Sequence, residues 1–221
     1  MRIADAVPEE YLVQISDPAP SYLAELERET FLKIPKPQML SGFIQGRILS
    51  FLSKMMQPGR ILELGTFTGY GTLCLAEGLL PNGHLFTIDN SEENTWLARK
   101  YAAISPFQNQ ITFQLGDGLE EVLKLKDQVW DMVYIDADKR RNQVYLETIW
   151  PNIRPGGLAL IDNTFANGQV WDDPENQKGF VKSVAEMNLA LPGLLPESEV
   201  TIFPIRDGLT LIRKKFPAKS T

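Results

Sequence analysis

At 221 residues, 43% of them hydrophobic, the chain can bury one sizeable core and reads as a single domain over residues 1–221. A formal net charge of −6 argues against a nucleic-acid partner, which would require a basic face. The lone cysteine, Cys74, excludes an internal disulfide and a cysteine-based zinc site, and fits a reducing compartment. The lone histidine, His84, gives no basis for a His-centred triad or a His-rich metal site.

The opening MRIADAVPEEYL lacks the basic-then-apolar pattern of a secretion signal. No stretch approaches the roughly 20 apolar residues that span a bilayer. A cytoplasmic protein with no membrane partner is the expectation.

In chain order, residues 1–57 read as a helical segment and 58–221 as an α/β core. A helix over 22–34 carries Leu23, Leu26, Phe31 and Leu32 on one side, punctuated by Pro18, Pro20, Pro35 and Pro37. A longer helix over 39–56 repeats Phe43, Ile44, Ile48, Leu49, Leu52 and Met55 at helical spacing, a stripe read as core packing. Its start, Met39-Leu40-Ser41-Gly42, is better suited to touching a ligand, because a helix N-terminus offers free N–H groups.

From Arg60 the pattern alternates. Strands are predicted at 61–64, 84–88, 111–115, 129–135 and 157–161, with helices at 72–80, 92–104, 119–125 and 140–149. Such alternation implies a mostly parallel sheet covered on both faces. A helix over 179–191 leads to strands at 199–204 and 208–213. The Asp207-Gly208 pair between them is a hairpin signal, so these two are expected as antiparallel neighbours at one edge. Residues 163–177 form the one long polar loop, and such loops tend to carry function.

The stretch RILELGTFTGYG, residues 60–71, predicts a strand, a glycine loop and a helix start, the architecture that holds a nucleotide-like cofactor. Its spacing is G-x-x-x-G behind an acidic residue, so the dinucleotide fingerprint is not met. Glu63 would repel a pyrophosphate but suits the positively charged end of S-adenosylmethionine. A plain βα turn without ligand is the alternative.

Each parallel strand has an acidic residue at or just past its end: Glu63, Asp89, Asp117, Asp136 and Asp162. Open α/β sheets bind ligands beyond those ends. Asp89 stands where an acidic residue accepts ribose hydroxyls; helix capping is its alternative. Asp117 is equally a helix cap or a neighbour of an adenine ring. Asp136 and Asp162 close strands expected to be adjacent, about 4.8 Å apart. With the amide of Asn163 they make an all-oxygen set suited to Mg²⁺. Lys139, three residues past Asp136, is the candidate general base, since a neighbouring cation disfavours its ammonium form.

Together LELGTFTGYG, Asp89, IDADK at 135–139 and IDNT at 161–164 make the chain resemble the cation-dependent O-methyltransferases, the family of the caffeoyl-CoA and catechol enzymes. The resemblance runs from about Met39 to Arg213. It implies a Rossmann-like S-adenosylmethionine-dependent methyltransferase fold, with a mostly parallel seven-stranded sheet, an antiparallel C-terminal hairpin strand and N-terminal helices.

The resemblance further implies metal ligation by Asp136, Asp162 and Asn163, with Lys139 as base. Cofactor contacts are implied for Met39, Ser41, Glu63, Gly65, Thr66, Asp89 and Asp138, and a substrate contact for Asn167. To these the sequence adds Asp117 and Gly71. Relatives usually read GYS where this chain has Tyr70-Gly71, so Thr72 or the Gly71 N–H would have to replace a serine hydroxyl. Ala166 stands where a tryptophan is common in the plant enzymes, which changes a substrate wall.

The expected activity is methyl transfer from S-adenosylmethionine to one hydroxyl of a small aromatic vicinal diol, with Mg²⁺, or Mn²⁺ or Ca²⁺, as metal. A homodimer is implied by the resemblance and by the apolar N-terminal helices. A non-catalytic cofactor-binding dimer is the alternative, and a nucleotide-dependent oxidoreductase a weaker one.

Overall fold

Arg60–Leu64 forms β1, the strand that leads into the glycine loop. The computed structural model describes residues 8–195 and 197–217. The first seven residues of the opening read for a secretion signal lie outside them. Strand β2 is His84–Asp89, β3 Ile111–Leu115, β4 Trp130–Ile135, β5 Ile153–Asp162, β6 Ser198–Phe203 and β7 Leu209–Lys214. They form one seven-stranded sheet in the order β3-β2-β1-β4-β5-β7-β6. The first five are parallel, and β7 runs antiparallel to both β5 and β6. The late hairpin lies at one edge, as Asp207-Gly208 predicted, with β7 tucked inside β6.

The alternation of side chains along a strand sorts the core into two layers. Ile61, Met132, Leu158 and Leu160 pack with Leu23, Leu49, Leu73 and Leu97 on one face. Leu62, Leu64, Val133, Ile135 and Ile161 pack with Val122, Leu146, Ile149 and Met187 on the other. The helices are α1 (Glu9–Ile15), α2 (Ser21–Lys33), α3 (Gly42–Met56), α4 (Tyr70–Ala76), α5 (Glu92–Ile104), α6 (Gly118–Lys124), α7 (Asn142–Ile149) and α8 (Phe180–Leu194). None is long and apolar enough to cross a membrane.

Three expectations need correcting. The helix read over 39–56 is broken: Pro37–Met39 is a separate 3₁₀ turn, Leu40 is extended, and α3 starts at Gly42. Met39 therefore does not sit on the N-terminus of α3. The buried side of α3 is Gln45, Gly46, Leu49, Ser50 and Ser53, while Met55 is 70% exposed. Close approach to α4 explains this. A Cβ on Gly46 would lie 2.5 Å from Tyr70 Cε1 and 2.8 Å from Cys74 Sγ, so only small residues fit the crossing. Arg47, Ser50 and Lys54 all bind Glu77 there. On α2, likewise, Leu23, Leu26 and Thr30 are buried, whereas Phe31 and Leu32 face out.

Candidate active site

Strand register sets the geometry. Leu64 pairs with Ile88 and Ile135, and Ile135 pairs with Ile161. One residue further on, Gly65, Asp89, Asp136 and Asp162 therefore emerge together at the carboxyl rim. This is where strand order reverses about β1, the place at which open α/β sheets bind ligands. Gly65 has φ 95°, and a Cβ there would collide with the Asp136 carbonyl oxygen. Only glycine lets the two backbones approach so closely.

Glu63, on the α4 side of the sheet, is 1% exposed. Its Oε2 accepts hydrogen bonds from Thr72 Oγ1 (2.5 Å) and Thr87 Oγ1 (2.6 Å). Burial pushes its carboxyl up to about 8, against those two hydroxyls and with help from the charges of Asp136 and Asp89. Thr66 joins the chain through Thr87 at 2.6 Å. The hydroxyl of Thr72, one of two candidates to replace the usual serine, is thus committed to Glu63. A Cβ on Gly71 would lie 3.5 Å from Ser41 Oγ, so a different hydroxyl borders that space.

Asp89 receives Phe67 N and Ser91 N, both at 2.8 Å. It ties the glycine loop to the β2–α5 turn; the N-cap residue of α5 is Ser91. Asp117 caps α6 through Leu119 N and Glu120 N, and its two oxygens also take the Arg141 guanidinium at 2.5 and 3.1 Å. Arg141 and these N–H groups hold its carboxyl down near 2. Asp138 caps the 3₁₀ turn Lys139–Arg141 and pairs with Arg140. Those side chains are engaged in capping as well as placed on a wall. A cavity of about 340 Å³ runs between them, bounded by Gly65, Phe67, Asp89, Asn94, Asp117 and Tyr145.

Beside it opens a cleft of about 1080 Å³, whose walls include Asp136, Lys139, Asp162, Asn163 and Asn167. Asp136 Oδ2 and Asp162 Oδ2 lie 3.4 and 3.3 Å from the same Tyr134 hydroxyl, so the carboxylates converge. Gln45 Nε2 donates to Asp162 Oδ2 at 2.8 Å and to Tyr134 Oη at 2.9 Å. Lys139 Nζ pairs with Asp136 Oδ1. Burial, then the charge of Asp162, raises Asp136 to about 6 against the pull of Lys139. Burial between these carboxylates pushes the Tyr134 phenol well above its ordinary value. Lys139 opens the 3₁₀ turn Lys139–Arg141, and the helix predicted over 140–149 begins only after it, at Asn142.

Asn163 (φ 60°) gives its Nδ2 to Asp207 Oδ2 at 3.1 Å, which leaves its carbonyl oxygen as an acceptor. Among the described residues no three His, Cys, Asp or Glu side chains form a metal cluster. The set here is two converging carboxylates and an amide oxygen, hard donors that fit Mg²⁺ or Mn²⁺. The sequence reading missed Gln45, Tyr134, Arg206 and Asp207. Tyr134 could have been found as the residue two before Asp136, hence on its face of β4. Gln45 lay hidden in an apolar-looking stripe.

Residues 13–215 match the O-methyltransferase family model. The chain belongs to the O-methyltransferase family. It is an S-adenosylmethionine-dependent O-methyltransferase, and the match starts well before Met39, where the sequence resemblance began.

Among relatives of this O-methyltransferase, caffeoyl-CoA O-methyltransferase 2 of Zea mays is 30% identical over 204 residues, 88% of this chain and 77% of that one. Probable caffeoyl-CoA O-methyltransferase 2 of Dictyostelium discoideum is 29% identical over 92% of this chain and 90% of its own. The crystal structure of TomG from Streptomyces achromogenes, involved in tomaymycin synthesis and solved with SAM, superimposes with a TM-score of 0.88. It is 25% identical, covering 98% of this chain and 100% of that one. The Bacillus cereus O-methyltransferase in complex with SAH gives 0.84 at 25% identity, over 93% and 96% of the two chains.

Proposed function

We propose that this O-methyltransferase methylates one hydroxyl of a vicinal dihydroxy aromatic small molecule and depends on a divalent cation. The observation that carries the reading is the convergence of Asp136 and Asp162 on the Tyr134 hydroxyl, with Lys139 against Asp136, at the junction of the two cavities. Asp136, Asp162 and Asn163 would hold the cation. Bound there, it would supply positive charge that acidifies a ring hydroxyl and aligns both oxygens.

The rest falls to the chain's own side chains. Lys139 Nζ accepts the hydroxyl proton, and its position three residues past Asp136 keeps it at the cleft wall. Glu63, at the buried end, favours the ammonium of the cofactor's amino-acid moiety. Gly65, Thr66, Gly71, Met39 and Ser41 border the same narrow space. Asp89, Asp117 and Asp138 line the 340 Å³ cavity for the nucleoside. Asn167, at the cleft wall, contacts the acceptor. Positioning of the hydroxyl oxygen toward a fixed methyl group provides most of the acceleration.

Caffeoyl thioesters, simple catechols and flavonoids are the acceptors to screen, with and without Mg²⁺. Methyl transfer to at least one vicinal diol, abolished by EDTA and restored by Mg²⁺, is the expected result. Undiminished turnover in EDTA removes the metal from the reading, and transfer to monohydroxy analogues at the same rate removes the diol.

A further inference from the structure

The turn between β6 and β7 touches both walls of the cleft. Arg206 sends a guanidinium N–H to the Leu40 carbonyl oxygen at 3.0 Å, across 166 residues of sequence. Asp207, the next residue, accepts Asn163 Nδ2 at 3.1 Å and Asn167 N at 2.7 Å. Its own carbonyl oxygen takes Phe165 N at 2.8 Å, and that of Gly208 takes Thr164 N at 3.1 Å.

Both recipients need such support. Residues 163–167 contain three non-glycine residues at positive φ: Asn163 (60°), Ala166 (45°) and Asn167 (58°). Conformations of that kind persist only where surrounding contacts over-determine them. On the other wall, the segment from Met39 to Ser41 runs from the last residue of a three-residue turn to the start of α3. Ser41 makes no side-chain cap bond, and the last local backbone bond is Leu40 N to Pro37 O. Met39 is 58% exposed into the space where the two cavities meet. Apart from the buried Leu40 side chain, the bond from Arg206 is what fixes that carbonyl. Arg206 itself holds a strained φ of 47°.

We propose that the β6–β7 turn is a two-armed clasp, in which Arg206 positions the cofactor-facing segment 39–41 and Asp207 positions the acceptor-facing loop 163–167. Both are positioning residues, not catalytic ones. The functional half of this inference rests on the cofactor placement proposed above; the mechanical half does not.

The test is Arg206→Ala, Arg206→Lys and Asp207→Asn, each read by calorimetric titration with S-adenosylhomocysteine and by amide hydrogen exchange of the free protein. Arg206→Ala should weaken S-adenosylhomocysteine about fivefold or more and speed exchange at 39–43, while 163–168 exchange as in the wild type. Arg206→Lys, which keeps one charged donor, should recover affinity to within twofold. Asp207→Asn, which keeps the shape but replaces one of the two accepting oxygens with an N–H donor, should speed exchange at 163–168 and leave S-adenosylhomocysteine affinity within twofold.

Unchanged exchange at 39–43 in Arg206→Ala, or loosening of both segments by either variant, overturns the two-armed clasp. Equal S-adenosylhomocysteine affinity in Arg206→Ala and wild type overturns its cofactor arm. A wild type that does not bind S-adenosylhomocysteine defeats the cofactor placement instead, and the exchange pattern then still decides the clasp.

Discussion

Glu63→Gln should remove a pH dependence from the stability of the cofactor-free protein. The folded carboxyl is raised from 4.5 to about 8 by burial. At about 1.4 kcal/mol per pH unit, ionising it in place costs on the order of 5 kcal/mol. A raised folded value means that stability is fully present below pH 4.5 and is lost as pH rises through 8, because the folded state binds the proton more tightly. Between pH 5.5 and 7.5 the wild type should lose roughly 2.5 kcal/mol from this group alone.

Glutamine imitates the protonated acid: its oxygen still accepts from Thr72 and Thr87. Denaturant unfolding at the two pH values gives the comparison directly. The variant's loss should be smaller than the wild type's by about 2.5 kcal/mol, with other titrating groups common to both. Parallel profiles would refute the assignment of a buried, largely neutral Glu63. The same proton should be released when a cationic amino group binds beside it. Wild-type titration with S-adenosylhomocysteine at pH 6.5 should therefore show heats that vary with the buffer's ionisation enthalpy, and those of Glu63→Gln should vary less.

Lys139→Ala should lower kcat by about 10²–10⁴-fold while S-adenosylhomocysteine affinity stays within twofold; equal kcat removes Lys139 as base. Gln45→Leu, which deletes the N–H shared by Asp162 and Tyr134, should lower kcat about tenfold without changing cofactor affinity, checked by steady-state kinetics beside calorimetry. Gly46→Ala should cost about 1–3 kcal/mol in denaturant unfolding, since the added methyl meets Tyr70 and Cys74; an unchanged midpoint would show that α3 and α4 can part freely. Dimer formation, proposed from the apolar N-terminal helices, predicts twice the chain mass by light scattering, and Phe51→Glu or Phe31→Glu should reduce it if those exposed side chains are buried between copies.

Most of the sheet was legible because its strands are short apolar runs buried on both faces, such as ILEL and MVYI, bounded by turn residues and alternating with helical patterns. The Asp136–Asp162 pair was legible for the same reason: adjacency of β4 and β5 follows from the alternation, and both residues end their strands. Helix faces near the site were not. On α3 the buried side is chosen by how near α4 can come, which depends on Gly46 and on the Glu77 ion pairs, not on where the large apolar residues fall. Bonds that join distant segments, such as Gln45 to Asp162 and Arg206 to Leu40, leave no local pattern to read. Asp117 shows a residue doing two jobs at once: its carboxylate caps α6 and grips Arg141 while facing the nucleoside-sized cavity.

Because Asp136 and Asp162 follow directly on paired strands, whereas Asn163, Asn167, Gly179 and Phe180 of the cleft wall belong to the chain after β5, the reactivity and the selectivity proposed above would have separate anchors. Exchange of loop segments beyond Asn167 should then leave the β4–β5 pairing that spaces those two carboxylates in place. On that reading one chemical engine could serve different acceptors as the chain beyond it changes.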